Sequence, residues 1–207
     1  MCIGILGQKI GMTQIFDKNG LAIPVTVVKA GPCMITQIKT IDYEGYNAIQ
    51  IGYIEKKQKK VKNSEIGHFE LSKSVPYRFL KEYKVLDIEN KALGQVITVN
   101  DLSIGDSVDI TARTIGKGFS GLQKRHNFSR GPMTHGSKNH RLPGSIGAGT
   151  TPGRVLPGKK MAGQLGNKVC TLKKVEIIGI YKEENLLILK GSIQGKPGNL
   201  LSIKRSS

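Results

Sequence analysis

From Ile110 to Val175 the chain contains no Asp and no Glu. The same 66 residues hold 13 Lys and Arg, three of the four His, 12 Gly and four of the eight Pro. The full 207 residues carry a formal charge of +17, of which this window supplies +13; the remainder has 19 basic and 15 acidic side chains. Charge is therefore segregated along the chain. A Gly/Pro-rich stretch with few large apolar side chains cannot bury enough surface to fold by itself. Its cations repel one another unless a polyanion neutralises them. The window predicts an arm ordered by nucleic acid and disordered in isolation.

Outside the arm Val, Ile and Leu are frequent enough for a hydrophobic core, and the length suits one domain with an extension. A pI near 9.9 points to nucleic acid or an anionic membrane surface. No run reaches 18 apolar residues, and the Gly-rich arm has no basic amphipathic helix, so no membrane partner is expected. The opening MCIGILGQKIGMTQIF resembles neither a transit peptide nor a signal peptide, which predicts synthesis in the compartment of use. Cys2, Cys33 and Cys170 are odd in number and far apart. That spacing predicts neither a disulfide framework nor a zinc site, and it suits a reducing compartment.

The pattern is mainly β. Asp17-Lys18-Asn19-Gly20 predicts a hairpin turn between MTQIF and LAIPVTVV, and Ile35–Lys39 and Asn47–Ile54 predict further strands within a β-rich stretch 1–56. Glu55–Lys62 (EKKQKKVK) is a basic run that reads either as a solvated loop or as a phosphate contact. Residues 64–84 predict two short helices, one capped by Ser64 and running through His68 to Leu71, the other started by Pro76 with Tyr77, Leu80 and Tyr83 on related faces. Strands are expected again at Gln95–Val99 and Ser107–Thr114, with Gly105-Asp106 as a turn. Beyond the arm they return at Val169–Tyr181 and Asn185–Gly191, with Lys182-Glu183-Glu184 as a hairpin loop and Leu200–Ile203 as an edge strand. Strands on both sides of the arm imply one β-rich domain, a small barrel formed by 1–113 plus 169–207, with 114–168 inserted as an excursion.

Several motifs in the arm invite an enzymatic reading and fail it. Gly116–Gly121 matches GxGxxG, but a dinucleotide site needs an acid about 20 residues further on; the first acid after Asp109 is Glu176. The Gly pattern then reads as a hinge where Lys117 and the backbone approach phosphates. Gly153–Lys160 (GRVLPGKK) approaches a phosphate-binding loop, yet Lys160 stands where the magnesium-binding hydroxyl belongs and Pro157 removes an amide donor. His126, His135 and His140 have no Cys or carboxylate nearby to complete a metal site or to orient an imidazole for catalysis. No catalytic residue, metal, cofactor or small-molecule substrate is therefore expected.

The same residues suit RNA. Lys124-Arg125-His126-Asn127-Phe128-Ser129-Arg130 interleaves cations with a stacking ring and an amide that can read base edges, and Phe128 reads equally as packing on the parent domain. Ser137-Lys138-Asn139-His140-Arg141 continues the pattern, and Gly144, Gly147, Gly149 and Gly153 let a chain thread where a Cβ would clash. No helix-turn-helix, zinc-finger or RRM signature is present.

The string RHNFSRGPMTHGSKNHRLPGSIGAGTTPGRVLPGKKMAGQLGN (Arg125–Asn167) resembles the central extension of the bacterial-type large-subunit ribosomal protein L-three family. GILGQKIGMTQIF, GLAIPVTVV and GYNAIQIGY resemble its core strands and NLLILKGSIQGKPG its C-terminal hairpin, so the resemblance spans the chain in order. The RHNF…RGPMTHGSKNH wording looks most like the cyanobacterial and plastid branch. The resemblance implies a six-stranded Greek-key β-barrel of the translation-protein type, with a long basic Gly/Pro-rich inserted loop and one or two short helices. It implies direct binding to large-subunit (23S-type) rRNA near the RNA's 3′ end, a role in starting subunit assembly, and a loop reaching toward the peptidyl transferase centre. The positions it marks for rRNA contact are Lys117, Lys124, Arg125, His126, Asn127, Arg130, His135, Lys138, His140, Arg141, Arg154, Lys159, Lys160 and Lys168. Many members carry Trp where His126 stands, and the Gln that some members methylate is absent from SIGAGTTP (Ser145–Pro152).

The resulting expectation is a structural, non-catalytic constituent of the large ribosomal subunit. Its partners would be 23S-type rRNA and neighbouring large-subunit proteins. Its place of work would be the plastid (chloroplast) stroma, from an organelle-encoded gene, with the bacterial cytoplasm as the alternative. The rival readings are an RNA-modifying enzyme, which the acid-free window deprives of a general base, and a non-ribosomal RNA chaperone.

Overall fold

Valine, isoleucine and threonine cluster in short alternating runs, and these become strands. The computed structural model describes residues 4–85 and 91–206, so Cys2 and the start of the opening string lie outside the described residues. The chain divides into two compact units, Met1–Arg113 with Val169–Ser207, and Thr114–Lys168.

In the first unit the strands in chain order are β1 (Ile5–Phe16), β2 (Ala22–Ala30), β3 (Cys33–Lys39), β4 (Ala48–Glu55), β5 (Tyr77–Lys84), β6 (Val96–Ile97) and β7 (Ser107–Arg113). The second unit contributes β8 (Gly118–Ser120) and β9 (Gly163–Leu165), and the chain then returns to the first with β10 (Val169–Tyr181), β11 (Leu186–Lys190) and β12 (Leu200–Arg205). Six strands close a ring in the order β1-β12-β7-β10-β11-β2, every neighbouring pair antiparallel. A second, four-stranded sheet runs β5-β4-β3-β6.

The period of two decides what the ring encloses. Val108, Ile110 and Ala112 of β7, Leu187 and Leu189 of β11, and Leu201 and Ile203 of β12 are buried at alternate positions, and Ile177 of β10 joins them in one core. Ser202, between Leu201 and Ile203, is buried too, because its Oγ meets the Tyr83 hydroxyl of β5 at 2.6 Å. That bond joins ring to sheet, as do the Tyr53 hydroxyl donating to the Lys29 carbonyl (3.1 Å) and the Cys33 thiol donating to the Leu6 carbonyl (3.5 Å). Lys9 is buried as well, its ammonium donating to the carbonyls of Ile193 (2.6 Å) and Gly195 (3.1 Å).

Five expectations are corrected. Residues from Tyr77 form strand β5 rather than a second helix, since Tyr77, Phe79 and Tyr83 point inward at every second position and Leu80 is exposed. Leu200–Ile203 lies not at an edge but between β1 and β7, where it closes the ring. The described residues hold three short helices rather than one or two: α1 (Ile41–Glu44), α2 (Asn63–Glu70) and, in the second unit, α3 (Leu122–His126). Ser64 does not cap α2. The Glu65 carboxylate instead accepts from the Lys62 amide at 3.1 Å, which satisfies one of the free donors at the helix start. The strand expected at Gln95–Val99 is limited to β6, followed by a 3₁₀ turn at Val99–Asp101. The hairpin turn at Asp17–Gly20 is formed, with the Gly20 amide donating to the Asp17 carbonyl at 2.9 Å.

Candidate nucleic-acid interface

The second unit is built on a two-stranded ribbon rather than a hinge. Gly118 pairs with Leu165, Phe119 with Gln164 and Ser120 with Gly163. Below the ribbon the Thr114 amide donates to the Lys168 carbonyl and the Lys117 amide to the Leu165 carbonyl, each at 2.9 Å. Helix α3 follows directly. It buries Leu122 and ends at Asn127, whose left-handed backbone (φ 59°) lets its amide donate to the Gln123 carbonyl. Asparagine tolerates that conformation better than most residues.

Between α3 and β9 the chain runs through turns tied by backbone bonds. The Gly131 amide donates to the His140 carbonyl at 3.1 Å, and the His140 Nδ1–H donates back to the Pro132 carbonyl at 3.0 Å. A Cβ at Gly131 would lie 2.0 Å from the Asn139 carbonyl oxygen, so this close return requires glycine. Further along, the Gly153 amide donates to the Gly149 carbonyl and the Lys159 amide to the Leu156 carbonyl.

On this frame Lys117, Lys124, Asn127, Arg130, His135, Lys138, Arg141, Arg154, Lys159, Lys160 and Lys168 are exposed. Arg125, His126 and His140 are partly covered. Arg125 and His126 are brought together: the guanidinium Nη1 donates to the Met161 carbonyl at 2.6 Å and the imidazole Nε2 meets the same oxygen at 3.1 Å. A carbonyl only accepts, so His126 carries its proton on Nε2. The side chains of Lys124, Arg130, Lys138, Arg141, Arg154, Lys159 and Lys160 form no hydrogen bond or ion pair among the described residues.

Sequence reasoning overlooked a set of exposed apolar side chains in the same unit. Phe119 is 80% exposed, Leu142 65%, Met133 and Leu156 58%. Their signal was present, since these large apolar residues lie scattered among Gly, Pro and cations in the acid-free window, and of the four Phe119 alone falls on a strand, β8. Phe128 is 37% exposed, its ring centroid 6.3 Å from that of His126.

The first unit offers a contrast. Lys56 is paired with Glu65 at 2.6 Å, whereas Lys57, Lys59 and Lys60 of the basic run are exposed in or beside a 3₁₀ turn. An open cleft of about 470 Å³ is lined by Lys29, Cys33, Met34, Tyr53 and Tyr77 among others. Burial pushes the Cys33 thiol up to about 12, so no thiolate nucleophile stands there. Among the described residues no three His, Cys, Asp or Glu side chains gather as metal ligands, and no helix is long and apolar enough to cross a membrane.

Comparison with known proteins bears directly on this arrangement. The sequence pattern of "Ribosomal protein L3" matches residues 83–187, which run from the end of β5 to the start of β11 and include the whole second unit. Full-length likeness is stronger still. The large ribosomal subunit protein uL3c of Phaeodactylum tricornutum is 59% identical over 207 residues, covering all of both chains. The chain belongs to the ribosomal protein L3 family. That family consists of structural proteins rather than enzymes. The uL3c of Porphyra purpurea is 55% identical over 99% of this chain, and the uL3 of the cyanobacterium Picosynechococcus sp. is 57% identical over all of it. Membership of the L3 family accounts for the near-matches to nucleotide-binding motifs: they are parts of a ribosomal protein's cationic loop.

Proposed function

We propose that this chain is a structural constituent of the large ribosomal subunit that binds 23S-type rRNA directly, near the RNA's 3′ end, and helps nucleate subunit assembly. The six-strand ring is read as the Greek-key barrel of the translation-protein type, which positions the protein on the subunit. Residues 114–168 thread into the RNA toward the peptidyl transferase centre. The observation that carries the reading is the second unit itself: ten Lys and Arg, no acid, and most of those cations exposed without a protein partner. Such an array has its natural counter-charge in phosphates.

Within it, Lys117, Lys124, Arg130, Lys138, Arg141, Arg154, Lys159, Lys160 and Lys168 meet the backbone. Asn127, His135 and His140 contact base edges, phosphates or 2′-hydroxyls. Phe119, Leu142 and Leu156 press against unstacked bases. Neighbouring large-subunit proteins complete the surroundings. The plastid-type and cyanobacterial relatives support a plastid ribosome, with an organelle-encoded gene, as the setting.

Filter binding to large-subunit rRNA tests this. Replacing Lys124, Arg130 and Arg141 by Gln should lower the slope of log K against log salt by about 2–3, since each phosphate contact contributes roughly 0.7–0.9. The same change at Lys57, Lys59 and Lys60 should alter it far less. Equal losses from the two triple variants would refute dominance of the arm.

A further inference from the structure

We propose that Arg125 and His126 are positioning residues: together they clamp the Met161 carbonyl and close the loop between them before RNA arrives. This rests on the rRNA-binding reading above and assigns two of its residues a different task. The guanidinium of Arg125 and the imidazole of His126, adjacent on the last turn of α3, donate to one oxygen at 2.6 and 3.1 Å. Both lone pairs of that carbonyl are thereby used. The ribbon sets the geometry. Ser120 pairs with Gly163, so Met161 lies two residues beyond the paired segment while Arg125 lies five residues beyond its own side, across the α3 turn.

Gly163 completes the clamp. A Cβ there would stand 2.6 Å from Arg125 Nη1 and 3.1 Å from Cζ, so the guanidinium occupies the space a side chain would fill. Gly163 is not among the residues with positive φ, so the glycine is needed for that space and not for its backbone angles. Lys124, one residue earlier, is exposed and makes no such contact. Two neighbouring cations on one short helix thus serve different ends: Lys124 faces outward, and Arg125 holds the loop 127–160. A loop closed in advance loses less conformational freedom on binding than an open one.

The test uses the full-length chain with three variants, Gly163→Ala, Arg125→Met and Lys124→Met. Two readouts are taken: rRNA binding across a salt series, and the rate of tryptic cleavage at Arg130, Lys138 and Arg141 in the free protein. G163A removes no charge, and the atom it displaces is the end of a flexible side chain, so the fold tolerates it. G163A and R125M should be cleaved at least ~3-fold faster and bind roughly tenfold more weakly, with the wild-type salt slope, as expected for a lost charge-assisted bond. K124M should lower the slope by about 0.7–0.9 and leave cleavage unchanged. If R125M lowers the slope as K124M does, or G163A is cleaved like the wild type, the clamp is wrong while the arm reading stands. A wild-type chain without salt-dependent rRNA binding overturns the arm reading and, with it, the task assigned to the clamp.

Discussion

Replacing Lys9 by Met should destabilise the first unit by about 2–4 kcal/mol. Lys9 sits where the β1–β2 register shifts, only 7% exposed, with its ammonium on the carbonyls of Ile193 (2.6 Å) and Gly195 (3.1 Å). Its backbone is tied to the same return of the chain, the Lys9 amide donating to Asn199 and the Gly198 amide donating to Lys9. Loss of a hydrogen bond from a charged donor costs about 1.5–3 kcal/mol, and there are two. Relief from burying an ammonium offsets part of that, and Met keeps the stem's apolar packing. With a urea slope of roughly 3 kcal/mol per M for a domain of this size, the unfolding midpoint should fall by about 1 M. Lys29→Met, at an exposed position on β2, should change stability by no more than ~0.5 kcal/mol. An unchanged midpoint in K9M, or an equal drop in K29M, would show that the ammonium does not brace the 193–199 return.

Two further outcomes follow from buried and paired groups. A maleimide should modify the exposed Cys170 in the native protein and spare Cys33, which is 1% exposed with its thiol pushed up to about 12 by burial; peptide mass spectrometry separates the sites, and equal native rates would refute the burial. The hydrogen bond from Lys39 holds the Glu82 carboxyl below its ordinary range, as that from Lys56 does for Glu65. A carboxylate lowered by folding gives stability that is present above its unfolded value, near 4.3, and is lost as pH falls through the folded one. Glu82→Gln should therefore flatten the fall in stability below about pH 4, and an unaltered acid limb in urea titrations at stepped pH would contradict the pairing.

Local signals were legible wherever turn chemistry and strand period agreed. Asp17–Gly20 between two alternating runs, and Lys182–Glu184 between Val169–Tyr181 and Leu186–Lys190, could be read directly. Tyr77–Lys84 misled because Tyr77, Leu80 and Tyr83 fit a helical face while Tyr77, Phe79 and Tyr83 fit a strand; pairing with β4, a tertiary fact, decided between them. Leu200–Arg205 looked peripheral because its two neighbours, β1 and β7, are remote in sequence. The candidate interface shows the same division. Which residues carry charge is plain from the acid-free window. That Arg125 turns inward to a carbonyl 36 positions away is a contact between distant segments, and no local pattern announces it.

The most direct test of a large-subunit protein held by its threaded arm is sedimentation of a cell or organelle extract at near-physiological salt, with mass spectrometry of the gradient fractions. The account predicts co-migration of the chain with large subunits that persists through a moderate salt wash. Recovery mainly at the top of the gradient, or loss at the first wash, would contradict it and point to a transient RNA-binding factor.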